Sequence, residues 1–539
     1  MTMRRSLTRW MLAGLIAVPL AMSGCTAGGG SAGSGAAAAE TIVLAAQGEV
    51  PPLDPQRLTG TIGLRVSDAI YDTLVRENLS EATKGASKIA PALAESWEVS
   101  EDGLTYDFTI RGGVTFHDGT ELTAEAVKLN FDRILDPDSP VYSETAAANM
   151  KFLTRWIAST SVKGTGEFTV TLSNSFPEFL GLLSDRRMGI ISPKLLQTAD
   201  EDQIAATPIG TGPYSTDGIV QGEDIQLERN ADYWRGEPKT RRLLFTSISD
   251  ANTMVSALQT RQIDVILSAG SAQVAQLKGD ESVTVQYPDP ANSYFIRLNT
   301  RAAGTDNKLV RQALNYAVDR EGIAAVMNGQ ASPLPGAIPA GNRAWDPTVN
   351  DTYTYDPERA KTLLRQAGVD MPLQISIMAP SEGPGFSQAR DVMSLVQEDF
   401  AKVGVELDVQ FMEFTAMVAE ESAGYADDIA GSFNGWTTGS ELAYWLENMF
   451  SPDLIPPTGT NRGWYQNVEL GNVFAQGRAE LNDDARNAIY RQAAEIIDED
   501  APWVFLYQDR LPRAFAANVL GPVEAPSVYF DYSVLQKSE

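Results

Sequence analysis

The chain reads as an α/β protein divided into more than one lobe. Short β-prone runs and amphipathic helical stretches are interleaved along it, without strict alternation of strand and helix. No short-period repeat is present, which argues against solenoids and propellers. Its 539 residues correspond to about two to four compact units at roughly 150 residues each.

Thr41–Ala45 is β-prone and opens the fold. Leu104, Tyr106, Phe108 and Ile110 alternate and precede Arg111-Gly112-Gly113, so Leu104–Ile110 and Val114–Phe116 are expected to pair as a hairpin. Asp118-Gly119 is a further turn signal. Thr123 is placed to cap a helix whose apolar face is Val127, Phe131, Ile134 and Leu135, with Asp136-Pro137 as its stop. Strands are expected at Phe168–Leu172, Ile225–Glu228 and Ile263–Leu267, and a helix at about 250–260. The second half carries more helix. Asp356-Pro357 gives an N-cap and a proline at the first helical position, and Gly368 closes that helix. Asp483 or Asp484 is expected to start a helix bearing Ile489, Ala493, Ile496 and Ile497. Pro502 ends it, and Trp503–Tyr507 follows as a strand.

Counting excludes much chemistry. Lys and Arg total 42 against 70 Asp and Glu, a formal charge of −28, so phosphate backbones would repel the chain and nucleic acid is not an expected partner. His117 and Cys25 are the only histidine and cysteine. Zinc clusters, redox pairs and disulfides within the chain need more than that. His117, beside a turn, is read as structural. The paired acids Asp136/Asp138 and Glu420/Glu421 match neither a calcium loop nor a glycosidase dyad.

Arg4, Arg5 and Arg9 precede an apolar run from Trp10 to Met22 that is too short to span a bilayer comfortably. Ser23-Gly24-Cys25 resembles a bacterial lipobox, with Met22 where leucine is usual. Residues 1–24 are therefore expected to be a lipoprotein signal peptide, Cys25 the acylated first residue, and 25–39 a Gly/Ser/Ala tether. Gly29-Gly30-Ser31-Ala32-Gly33 formally matches a nucleophile elbow, but without the strand and helix that motif requires. Arg4-Arg5 leaves twin-arginine export open beside the general route.

Four long stretches, in order, carry a family resemblance: Pro91–Thr120 (PALAESWEVSEDGLTYDFTIRGGVTFHDGT), Pro208–Tyr214 with Leu227–Trp234, Val310–Arg320 (VRQALNYAVDR), and Asp500–Tyr507 (DAPWVFLY). Together they resemble the extracytoplasmic solute-binding proteins, family 5, that serve peptide and nickel ABC importers. The resemblance spans essentially the whole mature chain. It implies a two-lobed periplasmic-binding-protein-like clamp of type II, cluster C. Lobe I would comprise residues 40–78, 208–290 and 500–539, with 79–207 as its accessory domain. Lobe II would be 291–499, and the chain would cross between lobes near Asn299 and Asp500. The implied role is a monomeric, non-enzymatic receptor anchored by lipid outside the cytoplasmic membrane, without cofactor or metal. It would hand a peptide or similar small polar solute to permease and ATPase subunits.

In peptide-binding members a Trp-x-x-Asp stretch holds the ligand's α-amino group. Here Trp436 matches, the Asp position is Gly439, and Glu441 is the nearest acid. Trp436, Thr437 and Thr438 are expected to line the cleft, with Asn292 and Tyr294 facing it and Trp345 a weaker candidate. Sugar conjugates, opines and metal chelates stand as alternative ligands. Outside the family, a surface-anchored hydrolase would need two carboxylates at a set separation, and an envelope scaffold would need no pocket.

Overall fold

The computed structural model describes residues 40–79, 88–288, 292–327, 330–340, 342, 344–345, 352–381, 386, 388–437, 442–457, 459–510, 512–522, 527 and 529–538. Three sheets organise them. The first has seven strands in the order Val283–Gln286, Arg513–Ala516, Val265–Ile266, Thr41–Ala46, Arg242–Ser247, Ile225–Arg229, Tyr214–Ser215. The second has six: Ala331–Pro333, Trp503–Asp509, Asn292–Leu298, Gly431–Thr437, Leu373–Pro380, Val405–Met412. A four-stranded antiparallel sheet, Ala94–Val99, Thr105–Ile110, Glu167–Leu172 and Ile157–Lys163, forms the accessory unit.

Local signals explain most element ends. Thr123 accepts from the Ala126 N–H and caps Ala124–Leu135. Asp356 caps Pro357–Ala367, and Gly368 ends it in the left-handed region at φ 69°. The long helix Asp483–Asp500 starts at the first of the two expected aspartates, and the Asn482 side chain before it is the cap, accepting from the Ala485 N–H. Its end is a left-handed Ala501, φ 49°.

Three expectations need correction. Thr105–Ile110 pairs with Ala94–Val99 and Glu167–Leu172, not with Val114–Phe116. Val114–Phe116 instead folds back on 120–122 around Asp118-Gly119, through Phe116 N–H to Thr120 O and Leu122 N–H to Val114 O. The strand beginning at Trp503 runs on to Asp509 and is buried along its whole length. It belongs to the second sheet, where it pairs with Asn292–Leu298, so a lobe I segment starting at residue 500 takes in a strand of the other lobe. The crossings therefore fall before Asn292 and after Asp509, not near Asn299 and Asp500. Gln286 pairs with Arg513 in the first sheet and Asn292 with Asp509 in the second. The two connections leave side by side.

One apolar core lies around the first sheet (Ile42, Leu44, Leu227, Phe245, Val265, Phe515). The other runs without a break from the second sheet into the accessory sheet, from Phe295, Trp445 and Trp503 to Tyr106, Phe108 and Phe168. The accessory unit thus bridges both bodies. Toward the first, Arg133 donates 3.0 Å to Asp54 Oδ1, and Asn130 donates to Ile191 O at 2.9 Å. Toward the second, buried Glu178 accepts from the Ala443 and Tyr444 N–H groups, 3.2 and 3.0 Å, at the start of the helix Leu442–Phe450. A carboxylate at that end of a helix is favoured by the helix dipole.

The second sheet carries an ion pair deep inside. Arg297, on the central strand, donates to Glu421 at 2.8 Å, the side chains being 2% and 0% exposed. Ser432 and Asn434 also donate to Glu421. Removing one member of such a pair leaves the other charge buried alone. Glu421→Gln is expected to lower stability by about 3–5 kcal/mol, measured by urea unfolding at neutral pH. A loss under about 1 kcal/mol would show that Arg297 finds its counter-charge elsewhere.

Candidate functional site

The second sheet ends in a row of four residues: Ala331, Asp509, Asn292 and Thr437, paired across adjacent strands. This is the end from which both connections leave for the first sheet. Neighbouring strands lie about 4.8 Å apart, so Asp509 and Thr437 are about 10 Å from each other.

Residues opposite one another in an antiparallel pair share a face, and successive residues alternate. Asn292, Tyr294, Tyr507 and Asp509 therefore lie on one face, and Ser293, Gln508 and Trp436 on the other. Trp436 and Tyr294, both expected at the cleft, thus stand on opposite faces of the sheet near the same end. Trp436 is half-buried and packs against the larger core. Thr437 closes the row through its backbone. Trp345 is 38% exposed, and its ring meets none of these aromatic groups among the described residues. Thr438, Gly439, Glu441 and the lipobox Cys25 lie outside the described residues.

Asp509 went unnoticed in the sequence and is the centre of this row. Its residue is 8% exposed. Asn292 Nδ2 donates to Oδ1 at 2.9 Å, and the Tyr294 hydroxyl donates to Oδ2 at 3.0 Å. The Tyr294 ring stacks on Tyr507 at 4.6 Å and meets the Phe386 ring edge-on at 5.7 Å. Gly435 makes this arrangement possible, since a Cβ there would stand 2.6 Å from Tyr294 Cε1. Burial pushes the Asp509 carboxyl up to about 7, with the donors from Asn292 and Tyr294 pulling the other way. Burial, then the Asp509 charge, pushes the Tyr294 hydroxyl well above its ordinary range. Among the described residues, the ionisable side chains on which the Asp509 charge acts are two tyrosines, Tyr294 and Tyr507.

Other buried carboxylates are matched differently. Glu421 has Arg297, and Glu447 has Arg478 at 2.7 Å. In a small cavity of about 50 Å³ near the first sheet, Arg186 pairs with Asp68 and Glu77, and Asp72 accepts from Thr211, Tyr233 and Trp234. Asp498 accepts from the Ala337 N–H and from Thr352 within the second lobe. Only Asp509, among these, sits in a row facing the other lobe.

His117 sits within 3.0 Å of Gly212 O through Nε2, and burial lowers its affinity for a proton. The close approach of Gly210 and Gly212 to the Ile70 backbone holds that loop in place. Both are structural. Among the described residues no group of three or more His, Cys, Asp or Glu is arranged to hold a metal, and no helix is long and apolar enough to cross a membrane.

Two lobes joined by paired connections, with a polar row at the crossing, define a solute-binding clamp. The chain belongs to the bacterial extracellular solute-binding proteins, family 5, whose model matches residues 88–453. It is 28% identical over 505 residues to the glutathione-binding protein GsiB of Salmonella typhimurium, covering 92% of this chain and 94% of that one. Its fold matches HbpA2 of Haemophilus parasuis with a TM-score of 0.80 at 25% identity, covering 93% and 100% of the two chains. It also matches the ABC transporter-associated periplasmic binding protein DppA of Helicobacter pylori, solved with the peptide STSA. That TM-score is 0.78 at 25% identity, with 93% and 98% covered. GsiB and DppA are binding proteins by name, and the two-lobed type II architecture is common to this chain and its structural neighbours.

The Asp509 carboxyl holds its proton more tightly folded than unfolded. Its contribution to stability is therefore present at low pH and is lost as pH rises from about 4 to about 7. Asp509→Asn keeps the shape without the ionisation. Its stability relative to the parent should rise between pH 5 and pH 8 in denaturant titrations; a flat difference would mean Asp509 does not titrate in that window.

Proposed function

We propose that this protein is the receptor subunit of an ABC importer, tethered outside the cytoplasmic membrane by lipid on Cys25, and that its ligand is a peptide or a peptide-like small solute of the size of glutathione. The observation that carries this reading is the buried polar row at the lobe crossing, in a chain whose relatives bind glutathione and peptides. Capture between lobes requires closure, because only the closed form completes the contacts and excludes water. Main-chain and side-chain donors then replace water around the ligand, with no bond made or broken. A hydrolase would need a second carboxylate beside Asp509, and none contributes to its titration among the described residues.

A thermal-shift screen of the soluble chain against glutathione and short peptides tests the ligand class. A binder at 100 times its Kd adds about 2.7 kcal/mol of stability. The same binder should reduce the radius of gyration in solution scattering and be recovered chemically unchanged. Turnover of the ligand, or binding without compaction, would overturn the receptor reading. For the anchor, Cys25→Ser should abolish acylation and release the protein from membranes. Retention of that variant in a high-salt membrane fraction would exclude the lipid as the tether.

A further inference from the structure

We propose that Asp509 is the seat for a ligand's ammonium group, held ready by Asn292 and Tyr294 at the cleft end of the second sheet. This deepens, and rests on, the peptide-receptor reading above.

The geometry is that of an acceptor. Neutral donors already reach both carboxylate oxygens, Asn292 Nδ2 on one and the Tyr294 hydroxyl on the other, and the Asn292 backbone N–H also bonds to the group. An ionised carboxylate offers about four acceptor positions, so room for a cation's donors remains. These two donors fix the direction of the carboxylate but bring no charge. Among the described residues no lysine, arginine or histidine pairs with Asp509; Arg510, next to it in the chain, forms no ion pair with it. A carboxylate that is 8% exposed and lacks a counter-ion is costly to keep charged. Burial accordingly pushes the Asp509 carboxyl up to about 7, where it is part protonated at neutral pH. A ligand ammonium supplies the missing charge and makes a strong charge-assisted hydrogen bond in a poorly solvated place.

Position supports the same role. Asp509 closes its strand, Asn292 opens the next, and both connections to the first lobe start there. A group docked on this row is covered when the lobes meet. The stacked Tyr294 and Tyr507 rings behind it form a rigid floor, so the carboxylate has little freedom to turn away. The anchor would lie about 10 Å across the sheet from Thr437. A ligand held there spans the row by its backbone and places its amine on the far side from the Trp436 strand.

The test is calorimetry on the soluble chain with glutathione and the dipeptide Ala-Ala, each compared with its N-acetyl derivative. The proposal expects the free-amine form to bind about 30-fold or more tightly than the acetylated one. Asp509→Asn should erase that difference, with an unchanged far-ultraviolet circular dichroism spectrum showing that the variant is folded. Tyr294→Phe, which keeps the ring and removes one donor, should reduce the preference by a smaller factor. In buffers of different ionisation enthalpy at pH 6.5, the parent should release a proton on binding the free amine and the Asn variant should not. Equal binding of free and acetylated forms, or a preference that survives in Asp509→Asn, overturns the anchor and leaves the peptide receptor standing. Failure of both forms of both compounds to bind the parent overturns the two together.

Discussion

The second lobe depends on the strand Asn292–Leu298 being paired on both sides at once. Gly431–Thr437 lies along one edge in an unbroken register, and Trp503–Asp509 along the other with a single bulge. Each partner lies well over a hundred residues further along the chain than the central strand, so the elements between form long loops closed by this pairing. The entropy of closing such loops is recovered only by burial. Hence the apolar stack of Phe295 on Trp503, 3.5 Å between ring centroids, and the Trp445 and Phe450 rings around it. Where the same strand carries charge, at Arg297, the charge is answered by Glu421. Where it emerges at Asn292, the polar groups turn to one another and to Asp509.

That gradient from apolar to polar along one strand explains how a rigid body presents a chemical surface at its end. Near the middle of the sheet side chains are chosen for volume. At the final row they are chosen for hydrogen-bonding capacity, and Tyr294 below them does both, its ring packed on Tyr507 and its hydroxyl given to Asp509. Gly435 shows how tightly the two requirements meet: the position beside Tyr294 has no space for even one methyl group.

Much of the fold was legible because its signals are local. Thr123, Asp356 and Gly368 mark helix ends by their own chemistry, and the alternation at 105–110 marks a strand whoever its partner is. Partner choice was not legible. Val114–Phe116 looked like the return of a hairpin, yet its turn residues close a tighter loop, and the real partners lie before and well after it. The site was less readable still. Trp503–Tyr507 announces a strand by its apolar run, and the run stops where the polar Gln508 and Asp509 begin. Nothing local says that the strand continues past them, so Asp509 read as loop. Only long-range pairing with Asn292 makes it part of a buried row. Likewise the sheet face that each of Trp436 and Tyr294 takes was not legible, because it is set by the long-range register of Gly431–Thr437 on Asn292–Leu298.

Glu178 belongs to the accessory unit, but it completes the first turn of a helix in the other lobe, 265 positions further along the chain. Neither partner is finished without the other. When the two bodies part, a carboxylate and two amide donors must be rehydrated together, so opening has an all-or-nothing character at this contact. Dissolved anions compete for those amides and dissolved cations for the carboxylate. Salt in the surrounding solution therefore bears on how readily this contact forms.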